Sequence, residues 1–288
     1  MIIKKSIGII LELTKFRITS FVTLTTFLGY ILFKQKIEID LIGLLLGVLL
    51  LSGGSAIFNH FQERKFDSLM ERTKSRPIPS GRVQASTAFI LGFVYSLGGL
   101  LILYFGFGII AAILGLIALF WYNLLYTPLK RKFALAVIPG SLIGSIPPMI
   151  GWVAAGGYVF HPAILMIAFF FFIWQIPHFW LLMLFFDEDY KKAGFPTLTQ
   201  YFDKEQILRI TFVWMVALAI ATLSMPIFQL TKNNLVNYGL IITAIWFIYY
   251  SIKMLISFES ESILIKGFRS INSFAIIITL ELCVDKFL

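Results

Sequence analysis

The chain has 288 residues, of which 59% are hydrophobic and 14% are charged, whereas soluble domains carry about 25% charged residues. These proportions exclude a soluble globular fold and predict a membrane protein with a single domain over residues 1–288. The formal net charge of +9 would suit a nucleic-acid partner, but in a membrane protein a positive excess first indicates cytoplasmic loops. The single cysteine, Cys283, excludes an intramolecular disulfide or a cysteine metal cluster.

Apolar segments of about 20 residues, long enough to cross a bilayer, recur along the whole chain. We identify nine of them, at 17–34, 41–60, 84–105, 107–127, 134–156, 162–186, 207–229, 235–257 and 267–285. The third and fourth are separated only by FGFG, which predicts a tight hairpin. The N-terminus lacks a signal-peptide cleavage pattern and is expected to be retained. The sequence therefore predicts an all-α polytopic membrane protein with nine transmembrane helices.

The distribution of lysine and arginine predicts the orientation of these helices. If the N-terminus is cytoplasmic, all but four of the 24 Lys and Arg residues fall on the cytoplasmic side. The four exceptions are Lys34, Lys36, Lys232 and Lys286. This asymmetry satisfies the positive-inside rule and accounts for the net charge without nucleic acid. We expect a multi-pass protein of a bacterial cytoplasmic (inner) membrane.

A densely charged stretch, NHFQERKFDSLMERTKSRPIPSGR, directly follows the second apolar segment. Asn59, Glu63 and Asp67 are four residues apart in turn, so on a helix they would stack along one face. Oxygen ligands without Cys or His suit Mg²⁺, which binds one or two carboxylates and completes its shell with water and substrate phosphate. The alternative is a solvated loop with ion pairs, although Asp67 and Glu71 would repel each other there.

Cations follow these oxygen ligands in the same stretch. Arg72 and Arg76 are four residues apart with Lys74 between them, and arginine forms charge-assisted bonds to phosphate oxygens. Pro77 and Pro79 cannot continue a helix, so we expect the helix to break at RPIPSG. We interpret the stretch as a metal and diphosphate site at a membrane face.

A second charged cluster, DEDYKK, follows the sixth apolar segment on the same predicted side. It contains Asp187, Glu188 and Asp189, followed by Lys191 and Lys192. Two acidic clusters facing one cavity could hold two Mg²⁺ ions on one diphosphate. The alternative is an ordinary charged loop.

The stretch WYNLLYTPLKRKF ends the fourth apolar segment. Tyr122 and Tyr126 are four residues apart and point the same way on a helix, so they either line a cavity or belong to an interfacial aromatic belt. Lys130 and Arg131 either contact a diphosphate or are ordinary cytoplasmic cations.

Two apolar segments contain residues that are unusual in a membrane helix. PGSLIGSIPPMIGW carries three prolines and three glycines, which indicates either a cavity lining or a kink with close helix packing. WQIPHFW places His178 near Trp174 inside an apolar segment, and such an ionisable group is a functional candidate by default. An aromatic-flanked histidine could contact a porphyrin or its iron, or bond a carbonyl across the bundle.

These motifs resemble those of the UbiA-type intramembrane prenyltransferases. The pattern N-x-x-x-D/E-x-x-x-D at Asn59, Glu63 and Asp67, followed by MERTKSRPIPSGR, carries the resemblance. YTPLKR, PGSLIGSIPPMIGW, WQIPHFW and DEDYKKAGFP are similar to the branch that farnesylates heme, so the matching segments extend over about residues 59–198. Glu63 replaces an Asp that is common in the superfamily, and DEDYKK is not a regular D-x-x-x-D. Which of its three acidic residues binds metal therefore stays open.

The resemblance implies nine helices around a central cavity, covered by a polar cap of the two acidic loops on the cytoplasmic side. The substrates would be farnesyl diphosphate and heme B, with Mg²⁺, and a heme A synthase or terminal oxidase would act downstream. The expected metal ligands are Asn59, Glu63, Asp67, Asp187 and Asp189. The expected diphosphate-binding residues are Arg72, Lys74, Arg76, Lys130, Arg131 and Lys191. The expected catalytic residues are Asn59, Asp67, Arg72, Arg76 and Tyr126. The expected heme and prenyl pocket contains Tyr122, Tyr126, Trp174 and His178.

Two other functions fit parts of the sequence. A sister enzyme that prenylates a quinone precursor such as 4-hydroxybenzoate would need the same metal and diphosphate site. A transporter or a non-catalytic heme-binding membrane protein would also contain broken helices and intramembrane polar groups. Neither transport nor passive heme binding explains why Asn59, Glu63 and Asp67 are in register beside an arginine pair.

Overall fold

The computed structural model describes residues 2–257 and 260–288, which contain helices and turns but no strand. Ten α-helices of at least six residues form most of this part of the chain. They are α1 (Ile2–Leu13), α2 (Phe16–Lys34), α3 (Asp40–Asp67), α4 (Ala85–Phe120), α5 (Leu142–Ala154), α6 (Pro162–Phe185), α7 (Asp187–Lys192), α8 (Lys204–Leu223), α9 (Asn234–Ile256) and α10 (Glu261–Val284).

Helix α4 is a hairpin rather than one span. With the turns that follow it, the apolar segment Ala85–Leu129 has 45 residues and would be about 68 Å long as a straight helix. Gly108 breaks it with φ 84° and ψ 176°. A methyl group on Gly115 would lie 3.0 Å from the Leu103 side chain, so the chain folds back on itself. The described residues contain eight apolar helical segments that could span a membrane, if Ala134–Ala154, which ends in α5, is counted as one. Because the α4 segment is a hairpin, these eight contain nine crossing segments, as predicted.

The hairpin depends on a backbone conformation that only glycine adopts readily. We expect Gly108→Ala to destabilise the protein by about 1–3 kcal/mol, because a Cβ is strained at this φ and ψ. Gly106→Ala is the matched control, since a methyl group there meets no atom within 4 Å. Thermal unfolding in detergent checks this, and equal melting temperatures for the two variants would contradict the hairpin geometry.

The bundle has two apolar cores that meet at α2. One contains residues of α2, α3, α4 and α5, including Tyr30, Leu44 and Leu103. The other contains residues of α2, α5, α6, α8, α9 and α10, including Phe171 and Phe247. Helices α2 and α5 touch backbone to backbone there.

Close packing explains much of the glycine and proline content of PGSLIGSIPPMIGW. A methyl group on Gly151 would lie 1.9 Å from Thr26 O, and one on Gly29 would lie 1.9 Å from Pro148 O. Small residues allow membrane helices to approach this closely. Of the two interpretations of this stretch, the structure favours close packing at Gly151.

The seventh apolar segment differs from the prediction of 207–229. Helix α8 begins earlier because the Asp203 side chain accepts from Gln206 N in a capping box. It ends at Leu223, and a 3-10 turn over Met225–Phe228 follows with Pro226 near its start.

Candidate functional site

The polar face predicted on α3 is present, because the helix continues without interruption to Asp67. Asn59, Glu63 and Asp67 therefore stack over about 12 Å of the helix end. Their exposed fractions are only 1%, 5% and 0%. Burying polar and charged groups is unfavourable unless each has a partner. The partners of these three residues define the site.

Two of the three partners are lysines from other parts of the chain. Lys15, in the bend between α1 and α2, donates to Asn59 Oδ1 at 2.6 Å. Lys130 Nζ lies 2.5 Å from Glu63 Oε1. Burial and, to a smaller extent, the nearby charge of Arg76 lower the pKa of Lys15 to about 7. Burial would also lower the pKa of Lys130, but the Glu63 carboxylate raises it above its ordinary value.

The third partner is an arginine from the loop after α3. Arg76 Nη1 donates to both Asp67 carboxylate oxygens, at 2.7 and 2.9 Å. Each polar residue of the α3 face thus has its own cation, and the three cations come from three separate segments.

The helix ends at Asp67, whereas the sequence predicted a break at RPIPSG. The reason is local: the Thr73 hydroxyl donates to the Asp67 carbonyl at 2.9 Å, and the chain continues in turns. Arg72 and Arg76 therefore do not share a helix face as their spacing suggested. Arg76 turns back to Asp67, and Arg72 reaches the second acidic loop.

The two acidic loops lie together, as the topology predicted. Arg72 N donates to Asp189 Oδ2 at 3.2 Å, and its guanidinium group lies 4.6 Å from the centre of the Phe186 ring. Beneath these contacts is an apolar cluster that contains Phe66, Met70, Tyr190, Ala193 and Phe195. The cluster joins the end of α3 to the loop after α7, so both loops cover one end of the bundle.

The three acidic residues of the second loop have different surroundings. Asp187 accepts from Thr199 Oγ1 at 2.6 Å and pairs with Lys191 at 2.6 Å. Burial opposes its ionisation, but these two bonds hold the pKa of Asp187 below its ordinary value. Glu188 is 81% exposed at its side chain. Asp189 is the only one of the three that a hydrogen bond in the described residues links to the first loop.

No three His, Cys, Asp or Glu residues of the described chain cluster closely enough to hold a metal by themselves. The α3 face still fits Mg²⁺, because its two carboxylates and one amide are buried oxygen donors. Glu63 Oε1 also lacks a well-oriented hydrogen bond despite its ion pair. Such a set would need phosphate oxygens and water to complete a magnesium shell.

A π-helical turn over Trp121–Tyr126 positions the aromatic part of the site. Asn123 anchors it: its Nδ2 donates to Ser55 O at 3.0 Å, and Gln62 Nε2 donates to Asn123 O at 3.0 Å. Tyr122 and Tyr126 then stack with their ring centres 5.9 Å apart. Such turns occur often at functional sites.

Aromatic rings connect the charged cluster to the predicted porphyrin contacts. The ring centres of Tyr126 and Phe179 are 6.4 Å apart, those of Phe179 and His178 are 5.2 Å apart, and those of His178 and Trp174 are 5.0 Å apart. Lys130 Nζ lies 5.7 Å from the centre of the Tyr126 ring. Lys130 and the predicted porphyrin contacts Trp174 and His178 thus lie at the two ends of one aromatic row.

A cavity of about 30 Å³ lies beside this row. Its lining includes Tyr126, Lys130, Phe179, Tyr190 and Phe195. Pockets for small-molecule ligands usually measure about 300–1,000 Å³. The volume of this cavity is far below that range, and Tyr190 and Phe195 of the second loop form part of the cavity wall.

Three other residues predicted to bind the diphosphate already bond to other groups of the protein. Lys74 pairs with Glu71, and Lys191 pairs with Asp187. Arg131 donates to Gln62 O at 2.9 Å and lies 4.7 Å from the centre of the Phe66 ring. Their role towards a diphosphate stays a prediction.

Sequence reasoning missed three residues of the site. The charge distribution places Lys15 only among the cytoplasmic cations, and nothing in its local sequence links it to Asn59. Thr127 accepts from Asn59 Nδ2 at 3.1 Å, and Asn123 bonds to α3. The left-handed conformation at Lys15, with φ 50°, is visible only in the structure, so no sequence signal pointed to this residue.

The fold and the site define a class of protein: a polytopic membrane protein with a buried, cation-paired oxygen site at one end of its bundle. Solved structures share this fold. A structure from work on digeranylgeranylglyceryl phosphate synthase has a TM-score of 0.79 at 18% identity, covering 98% of this chain and 99% of its own. The UbiA homologue from Archaeoglobus fulgidus bound to GPP and Mg²⁺ has a TM-score of 0.66 at 14% identity, covering 97% and 98%.

The sequence comparisons assign the family. Residues 22–270 match the UbiA prenyltransferase family. Protoheme IX farnesyltransferase of Oleidesulfovibrio alaskensis is 30% identical, covering 96% of this chain and 95% of its own. The protein of the same name from Christiangramia forsetii is 34% identical, covering 96% and 93%. The chain belongs to the UbiA prenyltransferase family.

Proposed function

We propose that this protein transfers the farnesyl group of farnesyl diphosphate to a vinyl group of heme B, with addition of water, giving heme O and diphosphate. The observation that carries this proposal is the aromatic row from Lys130 to His178, which joins a cation-rich site to a histidine. The similarity to protoheme IX farnesyltransferases supports heme as the acceptor.

The cations of the α3 face would bind the diphosphate. Lys15, Arg76 and Lys130 are already held at one end of the bundle, each against one oxygen ligand. Asn59, Glu63 and Asp67, with Asp187 or Asp189 from the second loop, would hold Mg²⁺. When bound, Mg²⁺ would neutralise charge that develops on the departing diphosphate. The displaced cations would then be free to bond phosphate oxygens.

The reaction balances with one water molecule. The allylic C–O bond of farnesyl diphosphate breaks, and the bonding electrons leave with the diphosphate. The vinyl carbon of heme B then forms a C–C bond to the allylic cation. Water adds to the new cation beside the porphyrin ring and loses a proton, which leaves a hydroxyl group. Arg76 and Lys130 stabilise the departing charge.

Aromatic and apolar residues of the site would protect the allylic farnesyl cation. The rings of Tyr122 and Tyr126 present π faces that attract it. The apolar cluster under the two loops limits access by water until the C–C bond has formed. Trp174 and His178 would orient the porphyrin at the far end of the row.

The orientation of the helices in the membrane is also part of this proposal. We place the N-terminus and both acidic loops in the cytoplasm of a bacterium, with the bundle in the inner membrane. A downstream heme A synthase or terminal oxidase, and a single domain over residues 1–288, stay predictions.

A quinone precursor such as 4-hydroxybenzoate is the second candidate acceptor, because the metal and diphosphate residues would serve it equally well. His178 favours heme, since prenylation of a phenol ring needs no iron ligand. Transport alone does not explain why three buried oxygen ligands in register on one helix face are each paired with a cation.

Membranes containing the protein should be incubated with heme B, farnesyl diphosphate and Mg²⁺, and the extracted hemes analysed by chromatography and mass spectrometry. We expect a new Mg²⁺-dependent heme carrying a hydroxyethylfarnesyl group. Prenylation of 4-hydroxybenzoate alone would overturn the acceptor and keep the site. Failure of both reactions with folded protein would overturn the enzyme assignment.

Lys15, absent from the sequence prediction, provides a further test of the diphosphate site. We expect Lys15→Gln to raise the KM for farnesyl diphosphate about tenfold, because a charge-assisted bond is lost. Arg17→Gln is the control, since Arg17 is exposed two residues further on. Steady-state kinetics at saturating heme compare the two variants. Equal KM values for farnesyl diphosphate would show that Lys15 does not bind the diphosphate.

A further inference from the structure

A side-chain hydrogen bond joins α6 to α10 at the porphyrin end of the aromatic row. His178 Nδ1 lies 2.7 Å from Asn272 Oδ1. A neutral imidazole has one N–H and one lone pair, and their assignment to Nδ1 and Nε2 depends on the partners of the ring.

A second bond fixes the orientation of the Asn272 amide. Asn272 Nδ2 donates to Phe268 O at 2.8 Å. A backbone carbonyl only accepts hydrogen bonds, so the amide nitrogen must face it and the amide oxygen must face His178. That oxygen also only accepts, so His178 Nδ1 must carry the proton. The lone pair of a neutral His178 is then on Nε2.

The ring around this lone pair is held firmly. His178 lies between Trp174 and Phe268, with ring centres 5.0 and 5.2 Å away and interplanar angles of 30° and 31°. Trp174 is itself tied to α10, because its Nε1 donates to Ile271 O at 3.0 Å. His178 is half-buried, and Nε2 has no hydrogen-bond partner among the described residues.

We propose that Asn272 is a positioning residue that holds His178 as its Nδ1–H tautomer, so that Nε2 is free to bind the iron of a porphyrin. The iron part rests on the proposed function, whereas the tautomer part does not. Partners that bond the second nitrogen of a ligating histidine commonly set its tautomer and ring orientation.

The tautomer can be measured without heme. The chain has three histidines, so ¹⁵N-histidine labelling with His178→Gln as the assignment variant identifies the His178 signals by NMR. We expect a protonated Nδ1 in the unmodified protein. Asn272→Leu should shift the ring towards Nε2–H, the form that neutral histidine prefers in water. A His178 that already carries its proton on Nε2 would overturn the tautomer assignment.

Hemin binding, followed by absorption and electron paramagnetic resonance, tests the iron part. We expect an imidazole-ligated iron signal that His178→Ala removes. Asn272→Leu should weaken hemin binding about 10- to 100-fold. Asn272→Asp keeps an acceptor oxygen, so its affinity for hemin should be close to that of the unmodified protein.

Asn234→Leu is the control, because Asn234 is exposed at the start of α9. Equal hemin affinity in Asn272→Leu and the unmodified protein would overturn the positioning role. If the unmodified protein binds no hemin, heme fails as the acceptor and the iron part fails with it. The NMR result decides the tautomer independently.

Discussion

Asp67→Asn is expected to lower kcat by at least about 100- to 1,000-fold while the protein stays folded. Asp67 is fully buried, and its carboxylate is the partner of Arg76 on the α3 face. The amide keeps the shape of the side chain but not the charge that Mg²⁺ and the arginine both need. Arg76 is 20% exposed at its side chain, so it can still reach water when the carboxylate is gone.

Glu71→Gln is the matched control for this variant. Glu71 lies four residues further on, is 68% exposed, and pairs only with Lys74 in the described residues. Initial rates at several Mg²⁺ concentrations compare the two variants, with thermal unfolding in detergent as the check on folding. A folded Asp67→Asn protein with near-normal turnover at saturating Mg²⁺ would show that the metal assignment of the α3 face is wrong.

Lys130→Met is expected to lower the stability of the protein and to weaken its binding of farnesyl diphosphate. The variant keeps the apolar stem but leaves the 6%-exposed Glu63 side chain without its cation. Removing one partner of a buried ion pair costs about 3 kcal/mol or more. Since a divalent ion can replace the missing charge at Glu63, the loss of stability should be larger in EDTA than in Mg²⁺. The KM for farnesyl diphosphate should also rise.

Lys132→Met provides the comparison, because Lys132 is exposed in the same short loop. Melting temperatures in EDTA and in Mg²⁺ are measured for both variants. If Mg²⁺ stabilises Lys130→Met no more than it stabilises Lys132→Met, then Glu63 is not a metal ligand.

The features that were predictable from the sequence arise from local periodicity. The four-residue spacing of Asn59, Glu63 and Asp67 defines a helix face wherever the helix continues, and it does continue to Asp67. The hairpin followed from the FGFG stretch, since one helix of that length could not fit across a bilayer. The Gly108 conformation then explains why the turn is so tight.

The remaining parts of the site depend on contacts between distant segments. Lys15 is 44 residues from Asn59 in sequence, and Asn272 is 94 residues from His178. The π-helical turn has no sequence period of its own, and its Asn123 bonds to α3 across 68 residues of sequence. The end of α3 was misplaced because the bond from Thr73 to Asp67 O competes with helix continuation, and spacing alone does not reveal it.

A divalent metal bound to the α3 face should also bind the diphosphate, and this contact can be measured directly. Mn²⁺ replaces Mg²⁺, an unreactive farnesyl thiolodiphosphate replaces the substrate, and pulsed electron paramagnetic resonance measures the ³¹P coupling to the metal. We expect a clear ³¹P coupling in the unmodified protein and in Glu71→Gln, and its loss in folded Asp67→Asn. An undiminished coupling in Asp67→Asn would show that the α3 face does not hold the metal that contacts the diphosphate.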